Sequence, residues 1–408
     1  MRRLAEIIII GDEILGGYTI DTNSAWISRQ LSKCGIETVR KQVVSDLFPE
    51  IHLALSRVGN DTELVFITGG LGPTRDDRTK NAIAEFFGGK LILNESYLEE
   101  LRQRFARMNR PFNENNISQA YVPDNAEAIP NRNGTALGLH FQVDRKEWFV
   151  MPGVPMEMKG MMEESILPMI CREDANAWTE ISLRTTGIFE SALAEIVEPK
   201  FENYSDLKLA YYPGPQGVDL RIGGPRGERL EAAAAMLREF LQEWYYADGT
   251  KDLSALLGEM LVKRGMKMAV AESCTGGLIA HRITANPGSS EWFLEGVVCY
   301  SNEAKIHYLG VKQETLEEYG AVSEATVVEM AEGLLQRSKA DLTVAVSGIA
   351  GPGGGSLEKP VGATFIAAAM KDKTVAQQFC FFRGREKNKE FAAQAALNLA
   401  RKIVQELV

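Results

Sequence analysis

Residues 267–283 read KMAVAESCTGGLIAHRI, in which an apolar run passes through a short polar turn into a helical segment. A last helix is expected from Glu390. Buried strands that alternate with helices predict a domain of the α/β class over residues 252–408. Its further strands are predicted by apolar runs at VVCYS (297–301), LTVAVSG (342–348) and GATFIAAAM (362–370).

The beginning of the chain shows the same alternation. Apolar runs lead into glycine-rich turns at LAEIIII (4–10) and LVFIT (64–68), and ISRQLSKCG (27–35) between them has helical periodicity and ends on glycine. A strand, a helix and a strand predict a parallel sheet and a first α/β domain over residues 1–168. Residues 171–248 mix short strand-like and helical pieces, which predicts a small α+β middle module.

Length, charge and cysteine content limit the possible functions. A chain of 408 residues exceeds what one core usually supports, and its net charge of −10 disfavours general affinity for nucleic acid or for anionic membranes. The middle module has 8 basic and 14 acidic side chains, which disfavours nucleic acid as its ligand. The sequence has no apolar run of about 18 residues, the length needed to span a bilayer. Scattered cysteines without a CxxC pair predict reduced thiols in a cytoplasmic protein, at Cys34, Cys171, Cys274, Cys299 and Cys380.

The turn in AESCTGG (271–277) places Ser273 where a strand becomes a helix, beside backbone N–H groups that can stabilise an oxyanion. None of the four histidines lies in a motif that pairs it with an acid. Tyr300 and Lys305 follow the strand VVCYS, and a partly desolvated lysine can lose its proton and activate a hydroxyl. These residues predict a Ser–Lys dyad assisted by tyrosine. In the alternative, Ser273 and Thr275 cap a helix, Tyr300 is a core residue and Lys305 lies on the surface.

Two further turns are rich in glycine. In SGIAGPGGG (347–355), Ser347 and the N–H groups of Gly348 and Gly351 are candidates for a nucleotide phosphate or ribose, unless the loop needs glycine only for its shape. TGGLGPTRDD (68–77) predicts an anion site through backbone N–H groups and a helix start, or else a tight turn with a helix cap. Its candidate binding residues are Gly69, Gly70, Gly72 and Thr74. A divalent cation is expected at Asp76 and Asp77, with acidic residues after the first strand facing the same crevice at Asp12, Glu13 and Asp21.

The string TGGLGPTRDD resembles the molybdopterin-binding fold of the MoaB, MogA and MoeA proteins. GDEILGGYTIDTNS (11–24) narrows the resemblance to the amino-terminal domain of the CinA family. Further matches are LRQRFARMNR (101–110), NENNISQA (113–120), NRNGTALG (131–138) and MPGVPMEM (151–158). The resemblance implies an ADP-ribose pyrophosphatase that needs a divalent metal, with Mg, Mn and Co not distinguished. Candidates for the diphosphate are Arg104, Arg107 and Arg110, which alternatively form a solvated helix face.

The last third of the chain resembles the carboxyl-terminal domain of the same family, the nicotinamide mononucleotide deamidases also called PncC. The motifs occur in order as AESCTGG (271–277), YSNEAK (300–305), YGAVSEAT (319–326), SGIAGPGGG (347–355) and EKPVG (358–362). The resemblance implies Ser273 as nucleophile, Tyr300 and Lys305 as its activating partners, and no cofactor. It extends the substrate contacts to Thr275 and Gly276. One motif departs from the family: FFRGREKNKE (381–390) replaces the usual GDR turn, so Arg385 is the expected equivalent and Arg383 its rival.

The resemblance covers essentially the whole chain and implies two activities. One is hydrolysis of nicotinamide mononucleotide to nicotinate mononucleotide and ammonia, and the other is cleavage of ADP-ribose to AMP and ribose phosphate. It also implies a homo-oligomer, a dimer, whereas the acidic composition and the scattered cysteines predict a cytoplasmic protein without nucleic-acid or membrane partners. Two alternatives stay open, namely a pterin-binding module without hydrolytic activity and an interaction component in DNA uptake or repair.

Overall fold

A computed structural model describes residues 2–74, 77–171 and 178–406. The chain divides into two compact units, residues 1–180 with 224–227, and residues 181–223 with 228–408. Within the described residues, no helix is both long and apolar enough to cross a membrane.

The first unit is built on a six-stranded sheet in the order β2-β1-β3-β8-β7-β6. β1 pairs in parallel with β2 and β3, and β3 pairs in parallel with β8. The nearly continuous apolar runs of β1 and β3 are buried because helices cover both faces of the sheet. The strands are β1 (Leu4–Ile10), β2 (Glu37–Val44), β3 (Leu64–Thr68), β4 (Leu91–Leu93), β5 (Tyr121–Pro123), β6 (Glu127–Ile129), β7 (Gly138–Val143) and β8 (Lys146–Met151).

Helices on the two faces enclose two apolar cores. They are α1 (Asp12–Leu15), α2 (Asn23–Lys33), α3 (Phe48–Ser56), α4 (Thr79–Phe86), α5 (Glu95–Arg107), α6 (Pro155–Met161) and α7 (Leu167–Ile170), with a 3₁₀ turn at Glu114–Ala120 and a π turn at Met162–Ile166.

A disulfide joins Cys34, after α2, to Cys171, after α7, with their Cα atoms 5.1 Å apart. The prediction that all five cysteines are reduced is therefore wrong for this pair. The two helix ends border the same apolar core, which brings together residues that lie 137 positions apart in the sequence. Cys274, Cys299 and Cys380 are free.

Most of the middle module belongs to the second unit, and it is a four-stranded sheet in the order β10-β11-β9-β12. Leu193 and Val197 of one helix and Leu230 and Leu237 of the other pack in the module's apolar core, so both helices bury an apolar face. The elements are β9 (Trp178–Thr185), α8 (Glu190–Phe201), β10 (Lys208–Gly214), β11 (Gly217–Pro225), α9 (Glu228–Phe240) and β12 (Tyr245–Asp248), with a 3₁₀ turn at Glu202–Tyr204.

The remainder of the second unit is a five-stranded sheet in the order β14-β13-β15-β16-β17. β13 is the central parallel strand, because it pairs in parallel with both β14 and β15. The strands are β13 (Met268–Glu272), β14 (Phe293–Val298), β15 (Leu342–Gly348), β16 (Ala363–Met370) and β17 (Lys373–Cys380). The helices are α10 (Leu253–Arg264), α11 (Leu278–Thr284), α12 (Asn302–Leu309), α13 (Gln313–Tyr319), α14 (Glu324–Arg337) and α15 (Arg385–Gln405), with a 3₁₀ turn at Ser289–Glu291.

The predicted α/β class is confirmed, and the element bounds differ in places. β14 ends at Val298 instead of residue 301, because its pairing with β13 ends where β13 gives way to the turn at Ser273. α15 begins at Arg385 instead of Glu390, directly after Gly384. The edge strands β2 and β17 are additional to the prediction, since their mixed polar sequences do not form continuous apolar runs.

Candidate functional site

Ser273 directly follows β13, at the carboxyl end of the central parallel strand, which is the usual position of a ligand site in such sheets. Its N–H donates to the Val346 carbonyl at 3.0 Å, which ties the turn to β15. The residue is only 7% exposed. Gly276 and Gly277 follow in the same turn, both with positive φ. The structure therefore holds the hydroxyl of Ser273 in a defined place.

Lys305 lies on α12 and is 1% exposed. Its Nζ donates to Ser273 Oγ at 3.2 Å and to the carbonyls of Cys299 at 2.9 Å and Tyr300 at 3.2 Å. None of these three acceptors is a carboxylate. Burial lowers the pKa of the Lys305 ammonium from its ordinary value. A lysine that loses its proton readily beside a serine hydroxyl is suited to act as a base.

Tyr300 takes a different position from that expected for a direct partner of Ser273. Its side chain is 62% exposed, and its carbonyl, not its hydroxyl, contacts Lys305 Nζ. The Tyr300 hydroxyl lies beside the Arg385 guanidinium and raises the pKa of Arg385 by accepting a hydrogen bond. The structure thus brings Ser273 and Lys305 together and directs the Tyr300 side chain towards Arg385.

Glu272 is a buried residue of the site that sequence reasoning missed. Its carboxylate accepts hydrogen bonds from the N–H groups of Gly277 at 2.9 Å, Ile279 at 3.1 Å and Ala280 at 2.8 Å. The start of α11 is therefore capped, so these three N–H groups are not available to an oxyanion. The sequence signal for this contact is an acidic residue shortly before the start of a helix, where a negative charge is stabilising.

Two other N–H groups of the turn are candidates for an oxyanion. In the part of the chain that the structure describes, the N–H groups of Cys274 and Thr275 have no backbone acceptor. The Thr275 hydroxyl is buried and has no hydrogen-bond partner there either. A buried polar group without a partner is costly, which makes Thr275 a candidate for contact with a ligand.

The loop after β15 lies beside this turn. Ser347 donates its hydroxyl proton to the Ala321 carbonyl at 2.6 Å, so its oxygen remains available only as an acceptor. Gly348 packs closely, since a Cβ atom there would lie 3.1 Å from Cys274 Sγ and 2.8 Å from the Ala363 carbonyl. The close approach of this loop explains the glycine at position 348.

Arg385 and not Arg383 reaches this loop. Arg385 Nη1 donates to the Gly351 carbonyl at 2.8 Å, whereas the Arg383 side chain lies on the exposed turn. Asn388, which is 2% exposed, connects the two segments. It donates to the Ala350 carbonyl at 3.0 Å and accepts from the Arg383 N–H at 3.0 Å. Sequence reasoning missed Asn388, whose only signal was an uncharged residue within the charged run REKNKE.

The two thiols near Ser273 are poor competing nucleophiles. Burial raises the pKa of Cys274 to about 12 and also raises the pKa of Cys299. Both sulfurs are therefore protonated near neutral pH, and the thiolate is the reactive form of cysteine. Ser273, which contacts a lysine of lowered pKa, is the better candidate nucleophile.

A second candidate site lies in the first unit, where β1, β2 and β3 run in parallel and end at one edge. The Asp12 N–H donates to Asp46 Oδ2 at 3.1 Å. Burial raises the pKa of Asp46, and the carboxylates of Asp12, Glu13 and Asp77 raise it further. Asp46 follows β2, and neither the strand nor this residue was predicted. Asp21 accepts from the N–H and hydroxyl of Ser24 at the start of α2.

The glycine-rich turn borders this crevice. Gly69 has φ +117°, and a Cβ atom there would overlap the Ile10 carbonyl, so only glycine fits. A Cβ atom would also meet Thr79 at Gly70 and Asp77 at Gly72. The N–H and hydroxyl of Thr74 donate to Asp77 Oδ2. Asp76 lies outside the described residues.

Among the residues that the structure describes, the predicted metal ligands do not form a complete set. Across residues 2–74, 77–171 and 178–406, no three His, Cys, Asp or Glu side chains are arranged to hold a metal ion. The described carboxylates alone therefore do not fit a divalent cation, and no chemical step is assigned to one.

The predicted arginines contribute unequally to the first unit. Arg104 donates to the carbonyls of Asn131 at 2.9 Å and Gly134 at 3.1 Å and pairs with Glu100 at 2.5 Å. Arg107 and Arg110 are exposed. Arg104 therefore has a structural role in holding the loop 131–134. None of the three has a hydrogen bond or ion pair to the described residues of the turn 68–79.

Comparison with known proteins agrees with this architecture. Residues 6–172 match the family described as "Probable molybdopterin binding domain", residues 181–244 the "Damage-inducible protein CinA KH domain" and residues 250–404 the "CinA C-terminal domain". The chain is 42% identical to a CinA-like protein of Chloroherpeton thalassium, with 98% of this chain and 99% of that protein covered. It is 38% identical to a "Putative competence-damage inducible protein" of Caldicellulosiruptor saccharolyticus, at 98% and 99% coverage.

Among solved structures, the chain is similar to a competence/damage inducible protein, CihA, of Agrobacterium tumefaciens. The two are 40% identical with a TM-score of 0.37, and the match covers 37% of this chain and 93% of that one. The relatives matched over nearly their full length decide the assignment. The chain belongs to the CinA family.

Proposed function

We propose that the second unit hydrolyses the carboxamide of nicotinamide mononucleotide to nicotinate mononucleotide and ammonia. The observation that carries the proposal is the 3.2 Å contact between Lys305 Nζ and Ser273 Oγ inside the protein. Lys305 is buried without a carboxylate among its three acceptors, so its neutral form is favoured more than in water.

In the first half of the reaction, neutral Lys305 takes the proton of the Ser273 hydroxyl while Oγ forms a bond to the carboxamide carbon. The electron pair of the carbonyl moves to its oxygen, which the N–H groups of Cys274 and Thr275 would stabilise, since neither has a backbone acceptor in the described residues. The C–N bond then breaks. The leaving nitrogen takes the proton from Lys305 and departs as ammonia, which leaves a pyridine-3-carboxylate ester on Ser273.

In the second half, water attacks the ester carbon and Lys305 takes its proton. The ester C–O bond breaks, Ser273 Oγ recovers a proton from Lys305, and nicotinate mononucleotide is released. Arg385, at the start of α15 and beside Tyr300, is the group best placed to attract the substrate phosphate.

A direct test measures ammonia and nicotinate mononucleotide released by the full chain from nicotinamide mononucleotide and, separately, from free nicotinamide. We expect equal amounts of the two products from the nucleotide and a much lower kcat/KM for nicotinamide, which lacks the phosphate that Arg385 would bind. Absence of ammonia from the nucleotide would contradict the proposal. Salt-sensitive DNA binding by a gel-shift assay would then favour the interaction component.

A second candidate function concerns the first unit, for which we propose cleavage of ADP-ribose to AMP and ribose phosphate. The favouring observation is that Asp12, Glu13 and Asp77 lie close enough to Asp46 to raise its pKa. Buried Lys80, whose pKa is lowered to about 8 by burial, adds a cation on α4, at the end of the same turn. A phosphate ester with a bound divalent cation suits such a site. The acidic groups would attract the cation, and the N–H groups of the glycine-rich turn would bind the phosphate.

Chelation tests the metal requirement of this second activity. We expect AMP formation from ADP-ribose to stop in excess chelator and to resume when Mg²⁺, Mn²⁺ or Co²⁺ is restored. The ammonia-releasing activity, which needs no metal in our account, serves as the internal control and should not change. AMP formation that continues in chelator would exclude a metal requirement, and its absence under all conditions would favour a pterin-binding module.

A further inference from the structure

A polar network connects the middle module to α11, the helix that follows the turn at Ser273. Arg282 of α11 donates from Nη2 to both carboxylate oxygens of Asp252, at 2.9 and 3.1 Å. Gln216, in the hairpin between β10 and β11, donates to Asp252 Oδ2 at 3.0 Å. The middle module therefore contributes a side chain to the ion pair that holds α11.

The module holds this ion pair through a second side chain. Arg184 of β9 donates from Nη2 to Gln216 Oε1 at 2.8 Å and from Nη1 to the Lys251 carbonyl at 2.8 Å. Arg184 is also paired with Asp219 at 3.0 Å. These contacts fix the Gln216 amide and the chain just before Asp252. The position of Asp252 therefore depends on the fold of the module.

α11 is held at both of its ends. At its last turn, Arg282 also donates to Gln394 of α15 at 2.8 Å, and the Arg282 carbonyl accepts from Ser254 Oγ at 3.0 Å. At its first turn, three N–H groups bind the carboxylate of Glu272. Glu272 is the covalent neighbour of Ser273, so a shift of α11 along its axis would displace the nucleophile.

The ion pair is shielded from water enough to give a defined geometry. The side chains of Arg282 and Asp252 are 12% and 29% exposed. Although burial opposes ionisation of Asp252, the Arg282 charge and hydrogen bonds from Ser254 and Arg282 lower the pKa of its carboxyl group. The pair is therefore charged at neutral pH and stays formed.

We propose that Asp252 and Arg282 are positioning residues for Ser273 and that the middle module completes their arrangement through Gln216. The proposal rests on the amide hydrolysis proposed above. Loss of the pair would displace Ser273 from Lys305 and lower kcat. KM would change little, because Arg385 and the loop 347–351 lie on other elements.

The experiment compares kcat and KM for ammonia release in Gln216→Ala, Arg282→Met and Arg282→Lys, with thermal melting to confirm that each variant is folded. A displacement of about 1 Å costs about 100-fold in rate, which we expect for Arg282→Met. Arg282→Lys keeps the charge opposite Asp252 and should recover part of the loss. Gln216→Ala should lower kcat by about tenfold, within the range of coupling between residues of one network.

Gln242→Ala is the matched control, since it is the same substitution at an exposed position of the same module. It should keep the wild-type kcat. A wild-type kcat in both Gln216→Ala and Arg282→Met would overturn the proposal, and so would a failure of Arg282→Lys to exceed Arg282→Met. Inactivity of the wild-type protein would instead overturn the proposed amide hydrolysis, so the two failures are distinguishable.

Discussion

Ser273→Ala is expected to lower kcat for ammonia release from nicotinamide mononucleotide by about 10⁴-fold or more, the scale of loss when a catalytic serine is removed. Without Oγ there is no atom to form the ester, and the buried thiols of Cys274 and Cys299 do not replace it because burial raises their pKa. The measurement is single-turnover and steady-state ammonia release at saturating substrate.

Ser290→Ala is the matched control for this substitution, because Ser290 is an exposed serine of the same unit. We expect Ser290→Ala to keep the wild-type kcat and both variants to melt near the wild-type temperature. Ammonia release by Ser273→Ala at a tenth of the wild-type rate or more would show that Ser273 is not the nucleophile.

Lys305→Met is expected to lower kcat by about 10³-fold, within the range usual for loss of a general base. Methionine fills a similar volume without the charged group, so a folded protein is expected, since an apolar replacement of a buried ion is often tolerated. Ser273 keeps its hydroxyl in this variant but loses the group 3.2 Å away that takes its proton. Steady-state kinetics with a melting curve test the expectation.

The pH dependence of kcat supplies a second test of Lys305. The lysine must be neutral to accept a proton, so kcat should rise as the pH increases through its pKa. Burial lowers that pKa, so the rise should be centred below the ordinary lysine value of about 10.4. The rise should be absent in Lys305→Met and kept in Lys339→Met, whose lysine is exposed. A rise that survives in Lys305→Met would belong to another group.

The motifs predicted that Ser273 and Lys305 act as a pair, and the structure places the two side chains in contact. In the structural alternative Tyr300 is buried and Lys305 is exposed, whereas the opposite is found. β14 ends at Val298, so residues 299–301 form a turn between this strand and α12. The turn allows Lys305 of α12 to place its Nζ beside Ser273 Oγ. Sequence patterns place the residues near this turn, but the inward direction of one lysine depends on the surrounding fold.

Residues whose partners are backbone groups of distant segments could not be predicted. Glu272 binds N–H groups of a helix whose exact start was not known, and Asn388 binds the Ala350 carbonyl 38 positions away. The Cys34–Cys171 disulfide depends on two helix ends meeting at one core. Such contacts follow from tertiary packing, which a local pattern does not contain.

The first unit shows the same limit. Alternating apolar runs predicted its parallel sheet. The edge strand β2 is half-exposed and rich in charged and polar residues, so it was not predicted, and neither was Asp46, which follows it. The carboxylates of Asp12, Glu13 and Asp77 nevertheless raise the pKa of Asp46, after the larger effect of burial. An edge strand with few apolar residues gives a weak sequence signal, so the residues that follow it are also difficult to place.

The covalent state of Ser273 during turnover shows whether this serine is the nucleophile. The wild-type protein is mixed with nicotinamide mononucleotide, quenched with acid at successive times and digested, and the peptide that contains Ser273 is analysed by mass spectrometry. We expect a peptide heavier by the nicotinate mononucleotide acyl group, formed together with the first equivalent of ammonia and absent in Ser273→Ala. Steady ammonia release with an unmodified Ser273 peptide at every time, at an equal rate in Ser273→Ala, would contradict it.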